Sequence, residues 1–151
     1  MMTIVSIGKL KEPWRTVCEM YVTRLGPYLP VRVVEVAESP IAKNDNSERI
    51  TAEEARTIVK YMKPDAHVVA LHPDARTPNT KKFADALEGW RRKQEIIFVI
   101  GGPLGLHESV LARANEHLSL SPLTFTHQMT RAILLEQIYR CVMREKGKYD
   151  Y

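Results

Sequence analysis

The sequence predicts an α/β fold: a single domain with a mostly parallel five- to six-stranded sheet covered by helices. Three observations point there. Short runs rich in β-branched residues alternate with segments of helical period along the chain, the pattern of a layered α/β domain. One run, Ile96 to Ile100, is apolar without a break, as a central parallel strand covered on both faces should be. A glycine-rich turn, Gly101-Gly102-Pro103-Leu104-Gly105, follows it directly, and ligands of open parallel sheets sit beyond the carboxyl ends of the strands. With 151 residues and 44% hydrophobic content, one domain over residues 1–151 has enough chain to bury a real core.

The elements follow in order. Residues 2–7 read as a first strand ended by Gly8. From Pro13, the apolar residues Trp14, Val17, Cys18, Tyr21, Val22 and Leu25 recur at i, i+3, i+4, i+7, i+8 and i+11, which marks one face of a helix; Gly26-Pro27 closes it. Val31 to Ala37 is a second strand, and the aperiodic polar stretch 38–47 is a surface loop. Thr51 and Glu54 have the spacing of a capping box, so a helix is expected to start there, with Ala55, Ile58, Val59 and Met62 inward and Pro64 beyond its end. Ala66 to Leu71 is the third strand. His72 to Arg76 forms its exit loop, and Thr77-Pro78 opens a helix with Phe83, Leu87 and Trp90 inward. Arg91, Arg92 and Lys93 end that helix with the charge its C-terminus prefers. Glu95 to Ile100 is the fourth strand. After the glycine turn a helix carries Val110, Leu111 and Ala114, His117 to Leu120 is a fifth strand, and a last helix runs from about Gln128 to Arg144.

That last helix is apolar around most of its circumference, through Ile133, Leu134, Leu135, Ile138, Tyr139, Cys141, Val142 and Met143. Such a helix must bury more than one face, and a second subunit is the expected cover for one of them, making a homodimer.

Several classes of function are disfavoured. Cys18 and Cys141 are far apart with no Cys-x-x-Cys, so neither a zinc site nor a redox motif is indicated, and His107 and His117 show no metal-ligand spacing with one another. No metal is expected. No apolar run is long enough to span a bilayer and no signal peptide is visible, so no membrane partner is expected and the cytoplasm is the expected compartment. The net charge of +4 suits a polyanionic partner and equally a plain soluble protein.

The chemistry concentrates in two strand-end loops. Gly-Gly-Pro-Leu-Gly is not a dinucleotide fingerprint and lacks the lysine of a phosphate loop. Leu120-Ser121-Pro122-Leu123-Thr124-Phe125-Thr126 offers apolar surface, hydroxyls and free backbone groups, which suit a flat heterocycle and are also ordinary loop composition. His127 and Arg131 are four apart, so they share a helix face. His127 suits a general base, a phosphate contact or a helix start. His67 reads as structural and His72 as part of a pocket loop. The tail mixes Arg144, Lys146 and Lys148 with Tyr149 and Tyr151, a composition that can hold phosphates and stack on bases or simply fray.

These motifs resemble a known family. Phe98-Val99-Ile100-Gly101-Gly102-Pro103-Leu104-Gly105-Leu106, then Leu118-Ser119-Leu120-Ser121-Pro122-Leu123-Thr124-Phe125-Thr126-His127, then Arg131, Glu136, Gln137, Tyr139 and Arg140 are similar to the RlmH-type 23S rRNA (pseudouridine-N3) methyltransferases of the SPOUT, or α/β-knot, class. Ser6-Ile7-Gly8-Lys9 and the chain length fit as well. The resemblance implies a C-terminal trefoil knot, a homodimer, and S-adenosyl-L-methionine as methyl donor. It implies as substrate a pseudouridine of 23S rRNA, within the ribosome, methylated at ring nitrogen 3. The cofactor would lie among Leu71, Gly101, Gly102 and the loop Leu120, Ser121, Pro122, Leu123, Thr124, Phe125 and Thr126, with His127, Arg131, Arg140 and Tyr149 as catalytic candidates. The tail departs from the family, which usually ends Tyr-His followed by a basic residue; here it reads Tyr149-Asp150-Tyr151. A SPOUT enzyme for another RNA, or a non-catalytic RNA- or ribosome-binding protein, are the alternatives.

Overall fold

Five strands form one sheet in the order β2-β1-β4-β3-β5, every pairing parallel. The computed structural model describes residues 1–44 and 46–149. The strands are β1 (Met2–Ile7), β2 (Val31–Val36), β3 (His67–Leu71), β4 (Ile96–Ile100) and β5 (Glu116–Leu118). The helices are α1 (Trp14–Leu25), α2 (Ser47–Ile58), α3 (Thr80–Arg91), α4 (Glu108–Arg113) and α5 (His127–Glu145).

Alternation along the central strands sorts the core into two layers. Met2, Ile4, Ile96, Phe98 and Ile100 join Cys18, Phe83, Leu87 and the inner face of α5 on one side. Val5, Ile7, Ile97 and Val99 join Ala55, Ile58 and Val110 on the other. The sheet is thus covered on both faces, which explains why β4 is apolar at every position. Cys18 and Cys141 are buried free thiols, pushed up to about 11 and about 12 chiefly by burial, and so stay protonated and inert.

Two expectations are corrected. α2 starts four residues before Thr51: Asn46 is the N-cap, its side chain accepting from the Glu48 amide. Thr51 lies inside the helix and donates to the Ser47 carbonyl at 2.8 Å, while Glu54 is buried and has no part in a cap. α3 likewise begins at Thr80, where Asn79 accepts from the Lys82 amide at 2.9 Å, later than Thr77-Pro78. The breadth of the apolar surface of α5 has a partly internal cause, because α1, α3 and β4 all pack on it.

An outward stripe of α5 remains. Met129, Ile133, Glu136, Gln137 and Arg140 recur at helical spacing and are only half-buried. Among the described residues, no helix is long and apolar enough to cross a membrane.

Candidate functional site

The carboxyl ends of β3, β4 and β5 open into one cleft of about 760 Å³, within the usual range for a ligand pocket. Its walls are the exits of all three strands: Leu71 and His72 after β3, Gly101 to Pro103 and Gly105 after β4, and the loop after β5.

The glycine turn closes on itself. Gly105 donates its amide to the Gly102 carbonyl at 3.0 Å and sits at φ +78°, where a side chain is strained. A methyl group on Gly101 would lie 2.7 Å from the Gly105 carbonyl carbon and 2.8 Å from its oxygen. One on Gly102 would meet Ile7 Cγ2 at 2.9 Å. Both glycines are therefore required by the packing of the turn, independent of any ligand.

The loop after β5 is held by its own hydroxyls. Ser119 is buried and donates from Oγ to the Ser121 carbonyl at 2.8 Å, while the Ser121 hydroxyl accepts from the Leu123 amide at 2.9 Å. The Ser119 amide bonds the Arg76 carbonyl at 3.1 Å and the His72 amide bonds that of Leu118 at 2.9 Å, tying this loop to the one after β3. Thr126 is the N-cap of α5 and accepts from the Met129 amide.

Leu71, Gly101, Gly102, Leu120, Ser121, Leu123, Thr124, Phe125, Thr126 and His127 all face the cleft. Pro122 belongs to the loop but is exposed and does not line it. Trp14, Gln128 and Thr130 also line it and were missed from sequence, Trp14 because its helical spacing already placed it on the core face of α1. Gln128 is oriented by the Lys11 amide, which donates to its Oε1 at 2.7 Å.

The catalytic candidates do not converge. His127 opens α5 at the cleft. Arg131 is 1% exposed and does not line the cleft. Its guanidinium donates to Glu35 at 2.8 Å, Ser6 Oγ at 3.1 Å and the Gly8 carbonyl at 3.0 Å, pinning the start of α5 to the ends of β1 and β2. Arg140 lies thirteen residues beyond His127, about 20 Å along the helix at 1.5 Å per residue. It pairs with Glu136 at 2.6 Å and lies 5.5 Å over the Tyr149 ring. Tyr149 also packs edge-on against Tyr139, centroids 6.0 Å apart. Asp150 and Tyr151, which carry the departure from the family ending, lie outside the described residues.

The remaining histidines have local work. His67 stacks on Trp90 at 5.1 Å. His107 caps α4 and pairs with Glu48 at 2.7 Å. His117 Nε2 meets the Leu111 carbonyl at 2.7 Å. Among the described residues, no group of three or more His, Cys, Asp or Glu could hold a metal ion.

Comparison with known proteins adds to this geometry. The family model described as "Predicted SPOUT methyltransferase" matches residues 1–149. The chain is 38% identical over 144 residues to the ribosomal RNA large subunit methyltransferase H of Clostridium botulinum (strain Kyoto / Type A2), covering 91% of each protein. Among solved structures it is similar in fold to Lpg2936 of Legionella pneumophila, a proposed methyltransferase in complex with the bound cofactor SAM. That likeness has a TM-score of 0.53 at 11% identity and covers 92% of this chain, which spans 65% of that one.

Proposed function

The chain belongs to the SPOUT methyltransferase family, and from that premise we propose that it transfers the methyl group of S-adenosylmethionine to ring nitrogen 3 of a pseudouridine in 23S rRNA. The observation that carries this reading is the cleft itself: both motifs that resemble the family line one pocket at the ends of three adjacent parallel strands.

The residues present fit the donor. Leu71, Leu118, Leu120 and Phe125 supply apolar surface for an adenine ring. The loop 119–126 adds backbone groups and hydroxyls for its edge, and the side-chain-free Gly101-Gly102 turn forms the facing wall. When bound, S-adenosylmethionine supplies a methyl group already activated on a sulfonium, so no metal is required. What the chain must add is alignment and removal of the imino proton. Of the two histidines that line the cleft, His72 and His127, we assign His127 at the start of α5 to accept that proton. Arg131 holds the first turn of α5, and hence His127, in place. In this reading the whole chain is one catalytic domain, knotted where its C-terminal segment threads the fold, and it works in the cytoplasm.

Calorimetric titration with S-adenosylmethionine tests the donor directly. Binding of one ligand per chain is expected; no heat change at millimolar ligand would contradict the reading.

A homodimer follows from the spread of the candidates. Arg140 and Tyr149 are too far from His127 to act on one base within a single chain, yet a cation and an aromatic are what an electron-rich target base needs. We assign them to the cleft of a second copy, docked along the outward stripe of α5. Tyr149→Ala should then lower methylation at least tenfold and leave donor binding unchanged. Co-expression supplies the sharper check. A His127→Ala chain paired with a Tyr149→Ala chain should recover about a quarter of wild-type activity, since half the dimers are mixed and each mixed dimer holds one intact site. If both residues served one chain's own site, no activity would return.

A further inference from the structure

One buried acid has an oxygen with no hydrogen-bond partner among the described residues. Glu54 on α2 is 6% exposed, and its Oε2 makes no hydrogen bond. It lies directly behind the cleft wall: a methyl group on Gly102 would be 3.7 Å from that oxygen, and Gly102 lines the cleft. Gly102 has no side chain to add to the wall between that oxygen and the cleft. The charged groups acting on Glu54 are Glu38, from the loop after β2, and Glu53 on α2 itself. Both are acids, and the other group that a methyl on Gly102 would meet is the apolar Ile7 Cγ2, at 2.9 Å.

A buried carboxylate without a cation is costly. The cost falls if a positive charge arrives on the other side of Gly102. We propose that Glu54 makes the cleft select a cationic donor, its carboxylate favouring the sulfonium of S-adenosylmethionine over the neutral thioether of S-adenosylhomocysteine. This rests on the donor reading of the cleft given above. Methyl transfer breaks the carbon–sulfur bond, leaves its electron pair on sulfur and forms a carbon–nitrogen bond, so the charge that Glu54 senses disappears with turnover. Glu54 then takes up a proton from solvent, and the product leaves a site that no longer attracts it. Burial, with Glu38 and Glu53 beside it, holds the Glu54 carboxyl at about 7, so it can change state near neutrality.

The test compares both ligands on wild type and Glu54→Gln by calorimetry at pH 8. Gln keeps the shape and removes the charge. S-adenosylmethionine should bind on the order of tenfold more weakly to the variant, from charge attraction across a short, low-dielectric gap, while S-adenosylhomocysteine changes less than twofold. Equal weakening of both ligands would overturn the proposal and leave Glu54 as support for the turn; unchanged affinity for both would overturn it as well. If wild type binds neither ligand, the donor reading fails first, a result distinct from the other two.

A ligand-free measurement accompanies it. Glu54 carries a raised carboxyl in the fold, so the folded state binds more protons than the unfolded one. Stability is lost as pH rises from the ordinary glutamate value of 4.5 through about 7. Glu54→Gln should therefore melt several degrees above wild type at pH 8 and match it at pH 4.5. A variant less stable than wild type at pH 8 would show that the carboxylate has a cation or donor in the fold, and would overturn the proposal.

Discussion

Gly101→Ala is expected to abolish donor binding and to lower the melting temperature. The added methyl would stand 2.7 Å from the carbonyl carbon of Gly105, a backbone atom in a turn closed by the Gly102–Gly105 hydrogen bond. A flexible side chain can step aside at that distance; a backbone cannot. Opening the turn costs about 1–3 kcal/mol, the range for forced overpacking, or roughly 3–10 °C at this chain length. The same movement pushes the facing wall into the cleft. Gly89→Ala is the matched control. Nothing lies within 4 Å of the new methyl there, the residue is inside α3, and the exchange should stabilise by about 0.5–1 kcal/mol with donor affinity intact. Melting curves and calorimetry on the pair check both signs. Equal behaviour of the two variants would remove the packing role of Gly101.

Arg131→Met is the second large effect. Arg131 is almost fully buried and binds an acid on β2, a hydroxyl on β1 and the carbonyl of the residue that follows β1. Deleting the guanidinium leaves the Gly8 carbonyl and Ser6 hydroxyl without their donor and Glu35 without its cation. Breaking a buried ion pair from one side costs about 3–5 kcal/mol; Glu35 is about one-third exposed, so solvent makes up part of that and about 2–3 kcal/mol is expected. Arg131→Lys should recover only part, because an ammonium cannot fork between Glu35 and the Ser6–Gly8 pair. Denaturant unfolding measures the loss. A variant that melts like wild type while its turnover collapses would instead place Arg131 in the chemistry.

How much of this was legible in the chain depends on the range of the interaction. The strands could be read because runs such as Ile96 to Ile100 have few alternatives, and the cleft because its two loops are separate, compact motifs. Helix starts were less legible. Thr51 and Glu54 have the spacing of a capping box, yet Asn46 wins because its side chain reaches the Glu48 amide as the first turn forms. The error hid the most informative acid in the molecule, since a cap residue faces water and Glu54 does not. Arg131 was legible as a neighbour of His127 and illegible as a core residue: its partners Ser6 and Gly8 are more than 120 residues away, and nothing local signals that an arginine will be buried. The cover on α5 was only partly legible for the same reason. Apolar periodicity says that a surface is covered and not by what: α1 and α3 cover part of it, and the outward stripe is left for another partner.

On this reading the cleft delivers a methyl group to one atom of one rRNA nucleotide. This is tested most directly by incubating the protein with methyl-labelled S-adenosylmethionine and large ribosomal subunits that lack the modification, then identifying labelled nucleosides by mass spectrometry. Label is expected in N3-methylpseudouridine alone, and none when Gly101→Ala replaces the wild type. Label in a different nucleoside, or none in rRNA from a protein that binds the donor, would contradict it.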